Sequence, residues 1–192
     1  AAAAAAAAEV KLRVAVYYGT QTGTSERFAR EVEVELKRRY GASVRVRTSD
    51  LEHVTADTAE DVLTSGDHEP FAIFLQSTYG DGEPTDTSTD FAHWLRDLAE
   101  DGRMPDLLED KLTYSVFGLG NSSYEHFNAA AKLVDKSLHK LGATRLMKIH
   151  LGDDDRTLED DFQGWREALW TAMETKYGIV VGGGGGGGGA AA

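Results

Sequence analysis

No cysteine occurs anywhere in the 192 residues. Disulfides, thiolate catalysis, iron–sulfur clusters and cysteine-ligated zinc are therefore excluded. Long apolar runs are missing as well. No stretch of about 18 strongly apolar residues is present, so no transmembrane helix is expected. Positive charge is scarce: 20 Lys and Arg stand against 32 Asp and Glu, for a formal net charge of -12. Nucleic-acid binding needs a cationic footprint and is not expected. Attraction to an anionic membrane surface is disfavoured for the same reason. A cationic protein partner fits better, drawn in by the field of the chain, although acidity that merely keeps a protein soluble is the plainer alternative. Histidines are few and scattered, at His53, His68, His93, His126, His139 and His150. They show no ligand spacing and no nucleophile–base set, so neither a metal site nor hydrolytic chemistry is expected.

Both ends are of low complexity. Residues 1–8 are alanine, and residues 182–192 are a glycine run followed by alanine. Neither tract can build a core, and the glycines would behave as a flexible linker. The expectation is one domain over residues 9–181, with a linker to a further domain as the alternative reading of the tail.

Within that span, apolar strand patterns alternate with amphipathic helix patterns. Residues 12–18 (LRVAVYY) read as a buried strand, 43–47 (SVRVR) as a more exposed one, and 71–77 (FAIFLQS) as the most apolar. Residues 112–117 (LTYSVF) and 145–151 (RLMKIHL) complete five strands. Helices are predicted over 24–40, about 86–99, 124–141 and 158–177. Phe28, Val32, Leu36 and Tyr40 lie inward in the first, and Phe162, Trp165, Leu169, Trp170 and Met173 in the last. Residues 48–69 form a polar connection with one short helical turn near 59–63. This alternation predicts an α/β fold: a doubly wound, five-stranded parallel sheet of order 2-1-3-4-5 with helices on both faces. In such sheets ligands bind outside the carboxyl ends of the strands, near the switch in strand order. The loops after strands one, three, four and five become the places to look.

Those loops are unusual. After strand one come Gly19, Thr20, Gln21, Thr22, Gly23, Thr24 and Ser25. Hydroxyl donors, two glycines and a helix N-terminus together suit a phosphate. No lysine is present, so this is not a Walker A loop. Ordinary helix capping is the simpler reading, but three threonines exceed what a cap needs. After strand three come Thr78, Tyr79, Gly80, Asp81, Gly82, Glu83 and Asp86; after strand four, Gly118, Leu119, Gly120, Asn121, Ser122, Tyr124, Phe127 and Asn128. Tyr79 and Tyr124, each in a glycine-rich loop, could sandwich a flat heterocycle. After strand five, Asp153, Asp154 and Asp155, with Glu159, Asp160 and Asp161, suggest an acidic rim.

The segments YYGTQTGTSE, STYGDGEPTD, FGLGNSSYEHFN and LGDDDRTLEDDFQGWREALW closely resemble the flavodoxin-like FMN domains of the diflavin reductase family. The last segment points to its NADPH–cytochrome P-450 reductase branch; the FMN domains of sulfite reductase, methionine synthase reductase and nitric-oxide synthase are the alternatives. The resemblance covers about residues 14–177. It implies FMN as cofactor and one-electron transfer as activity, with a two-electron quinone reductase of related fold as the competing reading. Thr20, Gln21, Thr22, Gly23 and Thr24 would cradle the phosphate, and Tyr79 and Tyr124 would flank the ring. Gly80 would offer its carbonyl to it. Thr78, Gly82, Leu119, Gly120, Asn121, Phe127, Asn128, Leu151 and Asp154 would complete the pocket. Asp81, Glu83, Asp86, Asp153, Asp154, Asp155, Glu159 and Asp160 would face a partner. An FAD- and NADPH-binding module would donate electrons, and a cytochrome P-450 or other haem protein would accept them. This chain shows no motifs for FAD or NADPH, so it is not expected to oxidise NADPH by itself. The resemblance also implies a place on the cytoplasmic side, with an endoplasmic-reticulum anchor as an option for the parent protein.

Overall fold

The structure, a computed structural model, describes residues 10–64 and 70–182. The alanine tract, most of the glycine tail and the end of the 48–69 connection lie outside the described residues. The described residues contain seven strands: β1 (Leu12–Gly19), β2 (Val44–Asp50), β3 (Phe71–Tyr79), β4 (Glu83–Pro84), β5 (Thr113–Gly120), β6 (Thr144–Arg145) and β7 (His150–Asp153). Five α-helices accompany them: α1 (Thr24–Tyr40), α2 (Ala59–Thr64), α3 (Thr89–Asp101), α4 (Ala129–Lys140) and α5 (Leu158–Tyr177). The sheet order is β2-β1-β3-β5-β6, with β7 also on β5 and the short β4 antiparallel to β3. Setting β4 aside and counting β6 and β7 as one interrupted strand gives the expected 2-1-3-4-5 order, and its pairings are parallel.

The apolar strands read as continuous runs because both faces of the sheet are covered. Alternate residues serve different cores. Val14, Val16 and Tyr18 of β1 join Ile73, Leu75 and Phe117 beneath α1 and α5. Ala15 and Tyr17 join Ala72, Phe74, Tyr114 and Val116 beneath α3 and α4. Each fully buried aromatic or large aliphatic side chain contributes about 1.5–3 kcal/mol of apolar transfer. All five predicted inward residues of α5 are buried. The 48–69 connection has a structural role: Leu51, Val54, Ala59 and Leu63 cover the second core. No helix among the described residues is long and apolar enough to cross a membrane.

Four details differ from the sequence expectation. Strand two runs on to Asp50, its register following β1 to Tyr18. A two-residue hairpin strand, β4, folds the third loop back onto Thr78 and Tyr79. The fifth strand is broken: Arg145 pairs with Tyr114 and His150 with Phe117, five residues on this strand against three on β5. The excess bulges out, placing Leu146 and Met147 against the first core and Ile149 against the second. Helix α4 begins at Ala129, not near residue 124. Local hydrogen bonds of the polar run compete with the helix there: Asn121 Oδ1 accepts the Ser123 N–H at 2.9 Å, and Asn128 takes a left-handed φ of 55° at the N-cap. Tyr124 is therefore carried on a loop.

Candidate functional site

At the carboxyl edge of the sheet the loops after β1, β3, β5 and β7 enclose a cleft of about 380 Å³. Gln21, Thr22 and Thr24 line one end. Ser77, Thr78, Tyr79 and Gly80 form one side. Leu119, Gly120, Asn121, Tyr124, Phe127 and Asn128 form the other, with His126, Asp154 and Leu158 completing the wall. No lysine or arginine is among these residues.

The threonine end owes its character to α1. Gly23, at the N-cap with φ 95°, has no side-chain oxygen to cap the helix. The first-turn N–H groups, which lack an intrahelical acceptor in any helix, thus receive no side-chain cap either, and the positive end of the helix dipole lies open. Thr20 shapes the turn, its hydroxyl oxygen accepting the Gly23 N–H at 2.9 Å. The hydroxyls of Ser25 and Ser77 meet at 2.6 Å, tying α1 to β3.

The two sides carry the exposed aromatic rings. Of the seven tyrosines, Tyr79 and Tyr124 alone are exposed, at 51% and 65%. Neither stacks on another aromatic side chain among the described residues. Two open rings on facing loops of one cleft offer stacking surfaces to a flat group. The loops that carry them also touch each other. His126 Nε2 lies 3.7 Å from Asp81 Oδ1, and a side chain on Gly82 would strike His126, its Cβ only 2.6 Å from that of the histidine.

Asn128 fixes the floor. Its buried amide nitrogen donates to the Gly152 carbonyl at 3.0 Å, linking the loop before α4 to β7. The side chain lies across Gly118 and Gly120, where added Cβ atoms would approach it to 2.5 and 2.8 Å. Its buried Oδ1 has no hydrogen-bond partner among the described residues. An acceptor left unpaired at the base of a cleft is consistent with a ligand or water that donates to it.

Sequence reasoning placed most of these residues, and the structure brings Gln21, Thr22, Thr24, Thr78, Tyr79, Gly80, Leu119, Gly120, Asn121, Tyr124, Phe127, Asn128 and Asp154 to one cleft. Thr20, Gly23 and Gly82 shape its turns without lining it. Leu151 stays in β7 opposite Gly118. Ser77, His126 and Leu158 line the cleft and were not singled out for it. Ser77 closes an apolar strand and Leu158 opens an amphipathic helix, so neither carries a signal in sequence.

The acidic rim is smaller than the sequence implied. Asp153, expected to face a partner, is 9% exposed and turned inward. Its carboxylate accepts the N–H groups of Ser122 at 2.9 Å and Asp155 at 3.1 Å, with Arg156 at 3.6 Å. The hydrogen bonds from Ser122 hold it below the usual carboxylate range. Glu159 is exposed but pairs with Arg27 on the far side of the first loop. Asp154, Asp155, Asp160 and Glu83 make no ion pair among the described residues.

Comparison with known proteins agrees with this geometry. The flavodoxin family profile matches residues 16–165. NADPH–cytochrome P450 reductases of Oryctolagus cuniculus, Bos taurus and Homo sapiens are 40%, 42% and 40% identical over 166 residues, covering 86% of this chain and 23% of theirs. The chain spans about a quarter of the length of the curated relatives it matches.

Proposed function

The chain belongs to the flavodoxin family, and on that premise we propose that it binds FMN in this cleft and relays single electrons to a haem protein. The observation that carries the reading is the pairing of two features in one cleft: an uncapped helix N-terminus at one end, and the two exposed tyrosines, one on each side. The residues present suit such a group. The volume lies within the range of cofactor clefts. The first-turn N–H groups of α1, with the hydroxyls of Thr22 and Thr24, would hold the phosphate by neutral donors alone. Tyr79 and Tyr124 would cover the two faces of the ring, and Gly80, Leu119, Gly120, Asn121, Phe127, Asn128 and Asp154 would surround its edges. FMN, when bound, would supply a redox group able to gain and lose electrons one at a time.

The protein's part is orientation, coverage and field. Covering both ring faces with tyrosine leaves no room for a second flat substrate and favours outer-edge electron exchange over hydride transfer. The uncompensated acids at Asp154, Asp155, Asp160 and Glu83 would steer a cationic partner toward that edge. The likeness to part of the NADPH–cytochrome P450 reductases supports a haem acceptor and an FAD- and NADPH-binding module as donor, the oxidoreductase activity belonging to the whole assembly.

Anaerobic titration of the FMN-loaded chain with dithionite, followed by visible absorption, tests the reading. Two resolved one-electron steps are expected. A single two-electron step would favour a quinone-reductase type of chemistry, and failure to bind FMN would remove the assignment. Tyr124→Ala should weaken FMN binding more than about tenfold, since stacking on an exposed ring is lost; an unchanged dissociation constant by fluorescence titration would contradict the sandwich.

A further inference from the structure

Asp86 sits oddly if the threonine end of the cleft receives a phosphate. A carboxylate beside a dianion opposes binding, yet this one is held against the phosphate turn. Gln21 Nε2 donates to Asp86 Oδ2 at 3.0 Å, and the Asp86 N–H donates back to Gln21 Oε1 at 3.1 Å. The reciprocal pair fixes which way the Gln21 amide points. Beside it, the Thr87 hydroxyl donates to the Thr20 carbonyl at 3.4 Å.

A second, buried layer supports the same junction. Gln76 of β3 stands opposite Gly19 in the sheet register. Its amide nitrogen donates to Ser88 Oγ at 2.9 Å and to the Ser77 carbonyl at 2.7 Å, and the Ser88 and Thr85 hydroxyls meet at 2.9 Å. Gly19 makes this possible: a Cβ there would stand 2.7 Å from the Ser88 Cβ and 2.8 Å from the Gln76 amide. The turn after β1 thus rests on residues 85–88 at two levels, one buried and one at the surface.

We propose that Asp86 is a positioning residue: it clasps Gln21 and holds the phosphate-binding turn in its receptive shape, and it is not part of the partner-docking rim. The inference rests on the FMN reading above. It assigns the role to the acceptor oxygen of Asp86 and not to its charge, which distinguishes it from Asp154 and Asp155. Asn at this position keeps an acceptor for Gln21 and the backbone donor while removing the repulsion; Ala keeps only the backbone donor.

The test is a fluorescence-quenching titration of the full chain and its variants with FMN and with riboflavin, which lacks the phosphate. Asp86→Ala should raise the FMN dissociation constant roughly tenfold, the scale of one hydrogen bond, and leave riboflavin unchanged. Asp86→Asn should bind FMN as tightly as the original chain or more tightly. Gln21→Met should reproduce the FMN-specific loss, and the Gln21→Met, Asp86→Ala double variant should be no weaker than either single one, because both remove the same clasp. The proposal is overturned if Asp86→Ala binds both flavins normally, if it loses both equally, if Asn is as weak as Ala, or if the two single losses add. An original chain that binds riboflavin as tightly as FMN would instead remove the phosphate reading, and this inference with it.

Discussion

Two charged regions of this molecule behave in opposite ways. Along the seam between α1 and α5, charges alternate and compensate. Glu159 pairs with Arg27, Arg27 with Glu31 at 2.9 Å, Arg166 with Glu31 at 3.4 Å and Glu35 at 3.3 Å, and Arg39 with Glu35 at 3.0 Å. The series ends at Glu174, which accepts the Tyr40 hydroxyl at 2.9 Å. Burial and that carboxylate push the Tyr40 hydroxyl well above the ordinary tyrosine range. Beneath the seam, Phe28 and Phe162 stack at 3.8 Å, each with a guanidinium over its ring. In the loops around the cleft, by contrast, Asp154, Asp155, Asp160 and Glu83 make no ion pair among the described residues. Net charge alone does not locate a working surface. What separates the two regions is compensation: paired charges hold helices together, and unpaired ones project a field.

The contrast can be broken from either side. Phe162→Ala should be the most damaging change, costing about 3–5 kcal/mol in chemical denaturation, since it opens a cavity under the seam; the cleft's charge would be untouched. Neutralising Asp154, Asp155 and Asp160 together to Asn should slow electron delivery to a basic haem protein such as cytochrome c about tenfold at low salt, with little loss of stability. Stopped-flow rates of original and variant chains should converge as ionic strength rises; a salt-independent difference would deny the rim its steering role. Arg166→Ala should cost about 1 kcal/mol, from two ion pairs and the contact with Phe162, and leave that rate unchanged.

A finer distinction concerns pH. Asp153 has a depressed carboxyl pKa in the folded chain. Its stabilising contribution is therefore complete above the carboxyl pKa of the unfolded chain and is lost as pH falls through the folded value. Acid should loosen the junction of Ser122 with Asp155 as pH falls through the folded value of Asp153, whose carboxylate holds both N–H groups. Amide exchange at Ser122 and Asp155 against pH is the measurement; equal protection down the titration would contradict it.

The fold was legible where pattern and burial coincide. The apolar runs of β1, β3 and β5 and the i, i+4 stripe of α1 announced a sheet covered on both faces, and the loops at its carboxyl edge announced the cleft. The break between β6 and β7 was not legible, because LMKI alternates no differently from a strand; only the three-residue span available on β5 makes it bulge. The start of α4 was hidden because YEHF has ordinary helix formers, while the decision lies with Asn121 and Asn128. Asp153 read as surface because acids usually are; its burial depends on N–H groups of Ser122 and Asp155 converging on it, which no one-dimensional pattern encodes. The Gln21–Asp86 clasp joins residues 65 apart and leaves no trace in either local sequence.

Asn128 carries a consequence for how this chain can vary over time. Gly118 and Gly120 are empty where Asn128 is full, and the Asn128 amide donates to the Gly152 carbonyl from across the loop. A methyl gained at either glycine collides with the amide, and alanine at 128 loses the bond to the Gly152 carbonyl and finds the left-handed φ poorly tolerated. No single replacement at these positions leads to a sound neighbour. The three should be inherited together or exchanged together, so that drift in the strand is throttled by a side chain in the loop.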